Sequence, residues 1–211
     1  MENQQIQSIL VDGLEQLGIA PSSQQISALI NFSHLLLKWN KVYNLTAVKD
    51  IDKIARLHLL DSLSLHAFIA GSTRLIDVGS GGGLPGIPLA IFNPDVQFVL
   101  LDSNIKKTRF VKQAAIELNL KNVEVVHSRV ENYRPSQRFD CLTTRAFSTI
   151  ANTLPVVAHL LTDHATLLFM KSNTAEQEAS EVGKNFEKQI AELQVPGIDA
   201  PRRLVILRKV N

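Results

Sequence analysis

The stretch LIDVGSGGGLPGIP, Leu75 to Pro88, limits what this chain can fold into more than any other part of it. An apolar run ends in an acid, turns through glycines 79, 81, 82 and 83, and resumes as a helix opening near Pro85. Glycines at 79, 81 and 83 permit positive φ. Having no Cβ, they let a ligand lie against the backbone at the carboxyl end of a first strand. In an open α/β sheet that edge is where ligands bind. A turn that serves only strand-to-helix packing is the plainer reading, but several glycines with an acid ahead of them favour binding.

The identity of the ligand is less constrained. Gly81, Gly83 and Gly86 also fit G-x-G-x-x-G, with Asp102 about twenty residues on as the ribose acid of a dinucleotide site. Two details favour a sulfonium nucleoside. Asp77 ends the strand ahead of the first glycine, where a carboxylate suits a cation rather than a pyrophosphate, and Pro85 removes a donor at the helix start. Asp102 ends the next apolar run in VLLDSN. There its carboxylate can accept both ribose hydroxyls, or it can cap the helix from Asn104 onward, with Ser103 or Asn104 sharing that task.

The rest of the chain supplies the frame. After Gly71, short apolar runs (75–78, 96–101, 123–126, 139–143, 165–170) alternate with helical segments opening near Pro85, Asn104, Ile150 and Thr174. This rhythm predicts a mostly parallel, doubly wound sheet. One helix places Val111, Ala114, Ala115 and Leu118 on a single face. The tail reads as two strands, Glu187 to Val195 and Arg202 to Val210, around a Pro196-Gly197 turn, pairing antiparallel at the sheet edge. Ahead of Gly71 three amphipathic stretches follow one another: Ile6 to Leu17, Ile26 to Leu37 with its cap at Pro21-Ser22-Ser23, and a third capped by Asp50 running through Ile54, His58 and Leu65. The segment Asn40 to Thr46 reads as a loop. The expected division is a small N-terminal helical cap, residues 1–70, and a ligand-binding α/β domain, residues 71–211.

Composition decides a few further points. The chain has 211 residues with 22 Lys and Arg against 20 Asp and Glu, so a nucleic-acid partner requires the positive charges to gather on one face. The single cysteine, Cys141, excludes an internal disulfide framework, and neither cysteine nor histidine spacing makes a zinc site. No leader or membrane-spanning run is evident, so a cytoplasmic protein without metal is expected.

Several segments together, NLTAV with RLHLLDS, then DVGSGGGLPGIPLAI, LLDSNIKK, SRVE, TRAF and a lysine after the fifth strand, closely resemble the bacterial RsmG (GidB) family. The resemblance runs from about Asn44 to Lys171. It implies a Rossmann-like class I methyltransferase fold that uses S-adenosylmethionine to methylate N7 of a guanine, position 527 in the 530 loop of 16S ribosomal RNA, on free RNA or the small subunit, as a monomer. Lys171-Ser172 departs from the Lys-Gly of many relatives. The resemblance further implies that Gly79 and Leu84 contact the methyl donor, that Asp102 holds its ribose, that Val130 and Glu131 meet its adenine, and that Arg145 stands at the donor and substrate mouth. Asp77 and Gly81 complete the expected donor site. Arg129, Lys171, His58 and Lys106 are the candidates for RNA contact. His58, Asp61 and Ser62 share a helix face, where a hydrogen-bonded staple between helix and sheet is the alternative role.

Guanine N7 has a lone pair and no proton, so attack on a sulfonium methyl requires no general base and positioning can supply most of the catalysis. An NAD-dependent oxidoreductase would use the same glycines and Asp102 but lacks a persuasive catalytic pair here. A non-catalytic RNA- or nucleotide-binding module on the same fold is the rival from another class.

Overall fold

The computed structural model describes residues 2–210. Seven strands form one sheet: β1 (Arg74–Val78), β2 (Gln97–Asp102), β3 (Val123–His127), β4 (Phe139–Arg145), β5 (Leu161–Lys171), β6 (Phe186–Glu192) and β7 (Arg203–Lys209). Their order is β3-β2-β1-β4-β5-β7-β6. The first five are parallel, and β7 runs antiparallel between β5 and β6. Strand order reverses between β1 and β4, so a crevice opens beyond their carboxyl ends.

The sequence explains which strands lie inside. In β1 and β2 nearly every residue is buried, as expected of strands covered on both faces. The outer strand β6, FEKQIAE, is exposed along most of its length, and its charges discourage pairing with another chain. Alternate residues divide between two cores. Leu75, Phe98, Leu100, Leu168 and Ile206 face one side, and Ile76, Val99, Leu101, Leu167 and Val205 the other. Phe139 and Cys141 would share a face in a regular strand. A register shift between them sends them to opposite cores.

Helices α1 (Glu2–Gln16) and α2 (Ser23–Tyr43), with short helices α3 (Ile51–Ile54) and α4 (Asp61–Leu63), cover the first face together with α5 (Gly86–Phe92) and α6 (Ile105–Glu117). Helices α7 (Ile150–Val157) and α8 (Ala175–Ser180) cover the second. Ser22 and Gln25 form a capping box at the start of α2. Phe110 of α6 packs at a tilt against Phe32 and Trp39 of α2, with ring centroids 6.1 and 5.8 Å apart. The N-terminal helices thus share one apolar core with the sheet.

Two expectations change. Helix α2 continues through Asn40 to Tyr43 and ends at Asn44, whose left-handed φ of 50° closes the helix. The third helix is capped by Asp50, which accepts from Lys53 N–H at 2.9 Å, but it widens into π-helix over Ala55–Leu60 before resuming as α4. Such a bulge shifts side chains around the axis and often marks a functional stretch.

Candidate active site

The loop after β1 is folded by its own backbone and by two carboxylates. Gly79 and Ser80 N–H both donate to Leu101 O, at 2.8 and 3.1 Å, tying the loop to β2. Gly79, Gly81 and Gly83 adopt φ of +71°, +57° and +76°, so the positive φ inferred from sequence is present at all three. Gly81 N–H donates to Asp102 Oδ2 at 2.9 Å, and Gly86 N–H to Asp77 Oδ2 at 3.0 Å. A Cβ at Gly86 would lie 1.8 Å from Leu100 Cδ2 and 2.8 Å from that carboxylate, so only glycine lets α5 approach β1 and β2 this closely.

These contacts move three expected ligand residues out of the crevice. Asp77 is wholly buried beneath the loop, with Oδ1 unpartnered. Burial pushes its carboxyl up to about 7, opposed by the Gly86 hydrogen bond and the Arg145 charge and reinforced by Asp102. Leu84 points its bulk into the first core at 5% exposure. Gly81 spends its N–H on Asp102. Asp77 and Leu84 support the loop from the interior, Gly81 lies half-buried within it, and none of the three lines the cleft.

That cleft, about 280 Å³, is bounded by Gly79, Asp102, Arg129, Val130, Glu131 and Phe147, with Lys107 at its edge. Asp102 lies at the end of β2; beyond the bond from Gly81, its Oδ1 accepts from Asn104 N–H at 2.8 Å. Asn104 itself caps α6, accepting from Lys106 and Lys107 N–H, so the capping role belongs to Asn104 and the Asp102 carboxylate borders the cleft. Val130 forms part of the wall, while Arg129 and Glu131 are exposed. Lys106, a candidate for RNA contact, is exposed at the start of α6 and borders neither cleft, whereas its neighbour Lys107 borders the first.

The acids also decide between anion and cation. A bound pyrophosphate would need the free N–H groups that open α5. Gly86 N–H is taken by Asp77, and Ile87 and Leu89 N–H donate to Gly83 and Pro85 carbonyls. The cleft instead presents the carboxylates of Asp102 and Glu131, which suit hydroxyl donors, beside the cations of Lys107 and Arg129.

A second cleft of about 570 Å³ adjoins the first at Ala146, which borders both. His58, Asp61, Arg145, Lys171, Arg202 and Arg203 converge on it from the π-helical segment, the start of α4, β4, β5 and the entry to β7. Arg145 Nη1 donates to Asp61 Oδ2 at 3.2 Å and to Leu57 O at 3.4 Å. Arg202 Nε donates to Asp61 Oδ1 at 3.0 Å. Lys171 Nζ donates to Ser148 O and pairs with Glu178 Oε2, each at 2.8 Å. Burial alone would raise the Glu178 carboxyl, but hydrogen bonds from Lys171, Ile150 N–H and Thr174 outweigh it and hold the group below its ordinary range.

His58 is a fixed neutral ring. Burial and the Arg145 charge pull it down to about 4 against the raising effect of Leu57 O. Its Nδ1–H donates to Leu57 O at 2.9 Å, so Nε2 accepts from the Thr46 hydroxyl at 2.7 Å. Thr46 Oγ1 accepts from Val48 N–H, while Asn40 accepts from Thr46 N–H through Oδ1 and donates to Val48 O through Nδ2. Asn40 and His58 therefore pin the NLTAV loop to the cleft wall. Ser62, expected to share their face, turns back to its own helix and donates to His58 O.

Sequence reasoning missed Asn40, Thr46, Glu178 and Phe147. Phe147 alone had an available signal, standing two residues from Arg145 in TRAF. Arg202 enters the sequence reading only as the first residue of the last tail strand.

A family model for GidB, described as rRNA small subunit methyltransferase G, matches residues 25–206. The chain is 47% identical over 204 residues to the ribosomal RNA small subunit methyltransferase G of Stutzerimonas stutzeri, covering 96% of this chain and 95% of that one. It is 49% identical over 197 residues to that of Hydrogenovibrio crunogenus, covering 92% and 90%. Among solved structures it is similar to a putative O-methyltransferase from Klebsiella pneumoniae, with a TM-score of 0.63 at 11% identity over 100% of both chains. It is also similar to the N-methyltransferase NodS from Bradyrhizobium japonicum in complex with S-adenosyl-l-homocysteine, with a TM-score of 0.53 at 13% identity over 72% of this chain and 84% of that one. Those likenesses establish the class I methyltransferase fold expected from the sequence, and with matches of this length and identity the chain belongs to the rRNA small subunit methyltransferase G family.

Proposed function

We propose that this protein transfers a methyl group from S-adenosylmethionine to N7 of a guanine in 16S ribosomal RNA, position 527 in the 530 loop, acting in the cytoplasm as a monomer on RNA or the small subunit. The observation that carries this reading is the junction at Ala146 of a cleft holding the strand-end carboxylate Asp102 with a second cleft in which cations outnumber acids. The names of the relatives support the substrate class.

The residues present fit the donor. Asp102 would take the ribose hydroxyls, Val130 and Glu131 the adenine, and Gly79 would border the donor with its backbone. When bound, the donor supplies an electrophilic methyl group on a sulfonium. The acceptor side is the work of Arg145, Arg202, Arg203 and Lys171, which offer positive charge to RNA phosphate and base edges. Asp61 holds two of the arginines at fixed spacing, so little ordering is left for the moment of binding. A neutral His58 whose nitrogens both have partners is not available as a base, and N7 requires none.

The test is transfer of labelled methyl to unmodified 16S rRNA and to 30S subunits, followed by mapping of the modified base. Incorporation at N7 in the 530 loop is expected. Donor binding with no incorporation into either substrate would overturn the reading.

A further inference from the structure

Phe147 belongs to neither apolar core and is 38% exposed. Its ring lies over Gly79: a Cβ at that glycine would fall 2.6 Å from Phe147 Cδ2. The backbone that delivers it is strained, since Ala146 holds a φ of +55°, an uncommon conformation for a residue with a side chain. The ring is nevertheless held in place. Before it, Thr144 Oγ1 donates to Val78 O at 2.9 Å and Arg145 pairs in register with Met170. After it, Lys171 holds Ser148 O and Glu178 accepts from Ile150 N–H. A strained, doubly anchored turn that keeps a phenyl ring partly in water in the first cleft, one residue past the Ala146 joint with the second, points to a ligand with a flat face.

We propose that Phe147 is the stacking platform for the target guanine, and that its ring favours the base as positive charge develops on it. This rests on the methyl-transfer reading above. In that reaction the N7 lone pair forms the new bond to the methyl carbon. The carbon–sulfur bond breaks, its electron pair stays on sulfur, and the positive charge passes from the sulfonium to the guanine. The face of an aromatic ring attracts such a cation. Asp61 offsets the neighbouring Arg145 charge, which would otherwise oppose it. Stacking of a base on an aromatic side chain is worth enough to change affinity by about tenfold to a hundredfold.

The test compares wild type with Phe147→Leu, Phe147→Ala and Phe147→Tyr. Methyl transfer to unmodified 30S subunits is measured, with donor affinity by calorimetry and folding by circular dichroism. Expected is a loss of about tenfold to a hundredfold in kcat/KM for the Leu and Ala variants, with near wild-type values for Tyr and a donor affinity that falls much less than transfer does. A second measurement, at pH 6.5 with S-adenosylhomocysteine present, compares binding of guanosine 5′-monophosphate and its cationic 7-methyl form by NMR titration. Wild type is expected to prefer the methylated base and Phe147→Leu to lose that preference. Transfer by Phe147→Leu equal to wild type, a donor affinity that falls in step with transfer, or no preference for the cationic base would each overturn the proposal. Failure of wild type itself to methylate any rRNA is a different result and would overturn the function proposed above.

Discussion

Arg202 reaches Asp61 at 3.0 Å across 141 residues of sequence, and Arg145 meets the other oxygen of the same carboxylate at 3.2 Å. One acid at the end of the π-helical segment thereby joins β4, the strand that follows the crevice, to the start of β7 at the far side of the sheet. The cleft proposed for RNA is built around this pair of ion pairs. Its shape depends on Asp61 as much as on the arginines it displays.

Asp61→Asn keeps the shape and removes the charge. Breaking a well-buried ion pair costs about 3–5 kcal/mol. Here the acid is 5% exposed but the arginines are 23% and 25% exposed and can turn to water, so a loss of about 1–3 kcal/mol is expected. Urea unfolding measures it. Transfer to RNA is expected to fall more than donor affinity does, because the acid touches the second cleft only.

Asn40→Leu tests the pin on the NLTAV loop. The substitution leaves Thr46 N–H and Val48 O without their side-chain partner, and each unmatched buried group costs about 1–3 kcal/mol. A lowered melting temperature is expected, with faster hydrogen exchange at Thr46 and Val48. Unchanged exchange there would show that the loop is held by other contacts.

Asp77 and His58 oppose each other in their effect on acid stability. The Asp77 carboxyl titrates at about 7 in the folded chain against 3.8 for an ordinary Asp. The folded state therefore binds more protons between these values, and this group lowers stability as pH rises from about 4 to 7. His58 titrates at about 4 folded against 6.5. There the unfolded state binds more protons, so this group's contribution is full above about 6.5 and is lost as pH falls toward 4. Asp77→Asn is expected to steepen acid destabilisation between pH 6.5 and 4, and His58→Gln to flatten it, as read from urea midpoints against pH.

Lys171→Met removes the tie to Ser148 O and leaves Glu178 without its ion-pair partner, both side chains being 12% exposed. The lowered Glu178 carboxyl stabilises the fold above its unfolded value of 4.5, and that benefit disappears as pH falls through its folded value. The penalty of the substitution, about 1–3 kcal/mol near neutrality, is thus expected to shrink below pH 4.5. If Lys171 also neutralises an RNA phosphate, the salt dependence of RNA binding loses about one unit of slope.

Much of this architecture was readable from local pattern. The strands, the glycine turn, the Asp50 cap and the antiparallel tail depend on periods of two and 3.6 and on turn chemistry between near neighbours. Asp102 and Gly79 were legible as cleft residues because they sit at adjacent strand ends in a parallel sheet. Asp77 was placed at the right strand end but given the wrong surroundings. Its oxygen meets Gly86 nine residues later, a contact created by the approach of α5 that no periodicity encodes. Asn40 was misread because a polar residue late in an apolar stripe suggests a helix end, whereas here it lies inside the helix with its amide used by the following loop.

What the sequence determined by itself is therefore the class of fold, the location of the crevice and the family, since each follows from short-range order along the chain. The tertiary structure alone decided which groups meet: Asp61 with Arg145 and Arg202, Lys171 with Glu178, and Phe147 over Gly79. Those partners come together through sheet order and the π-helical widening, and long-range electrostatic and steric fit leaves no periodic trace in a single sequence.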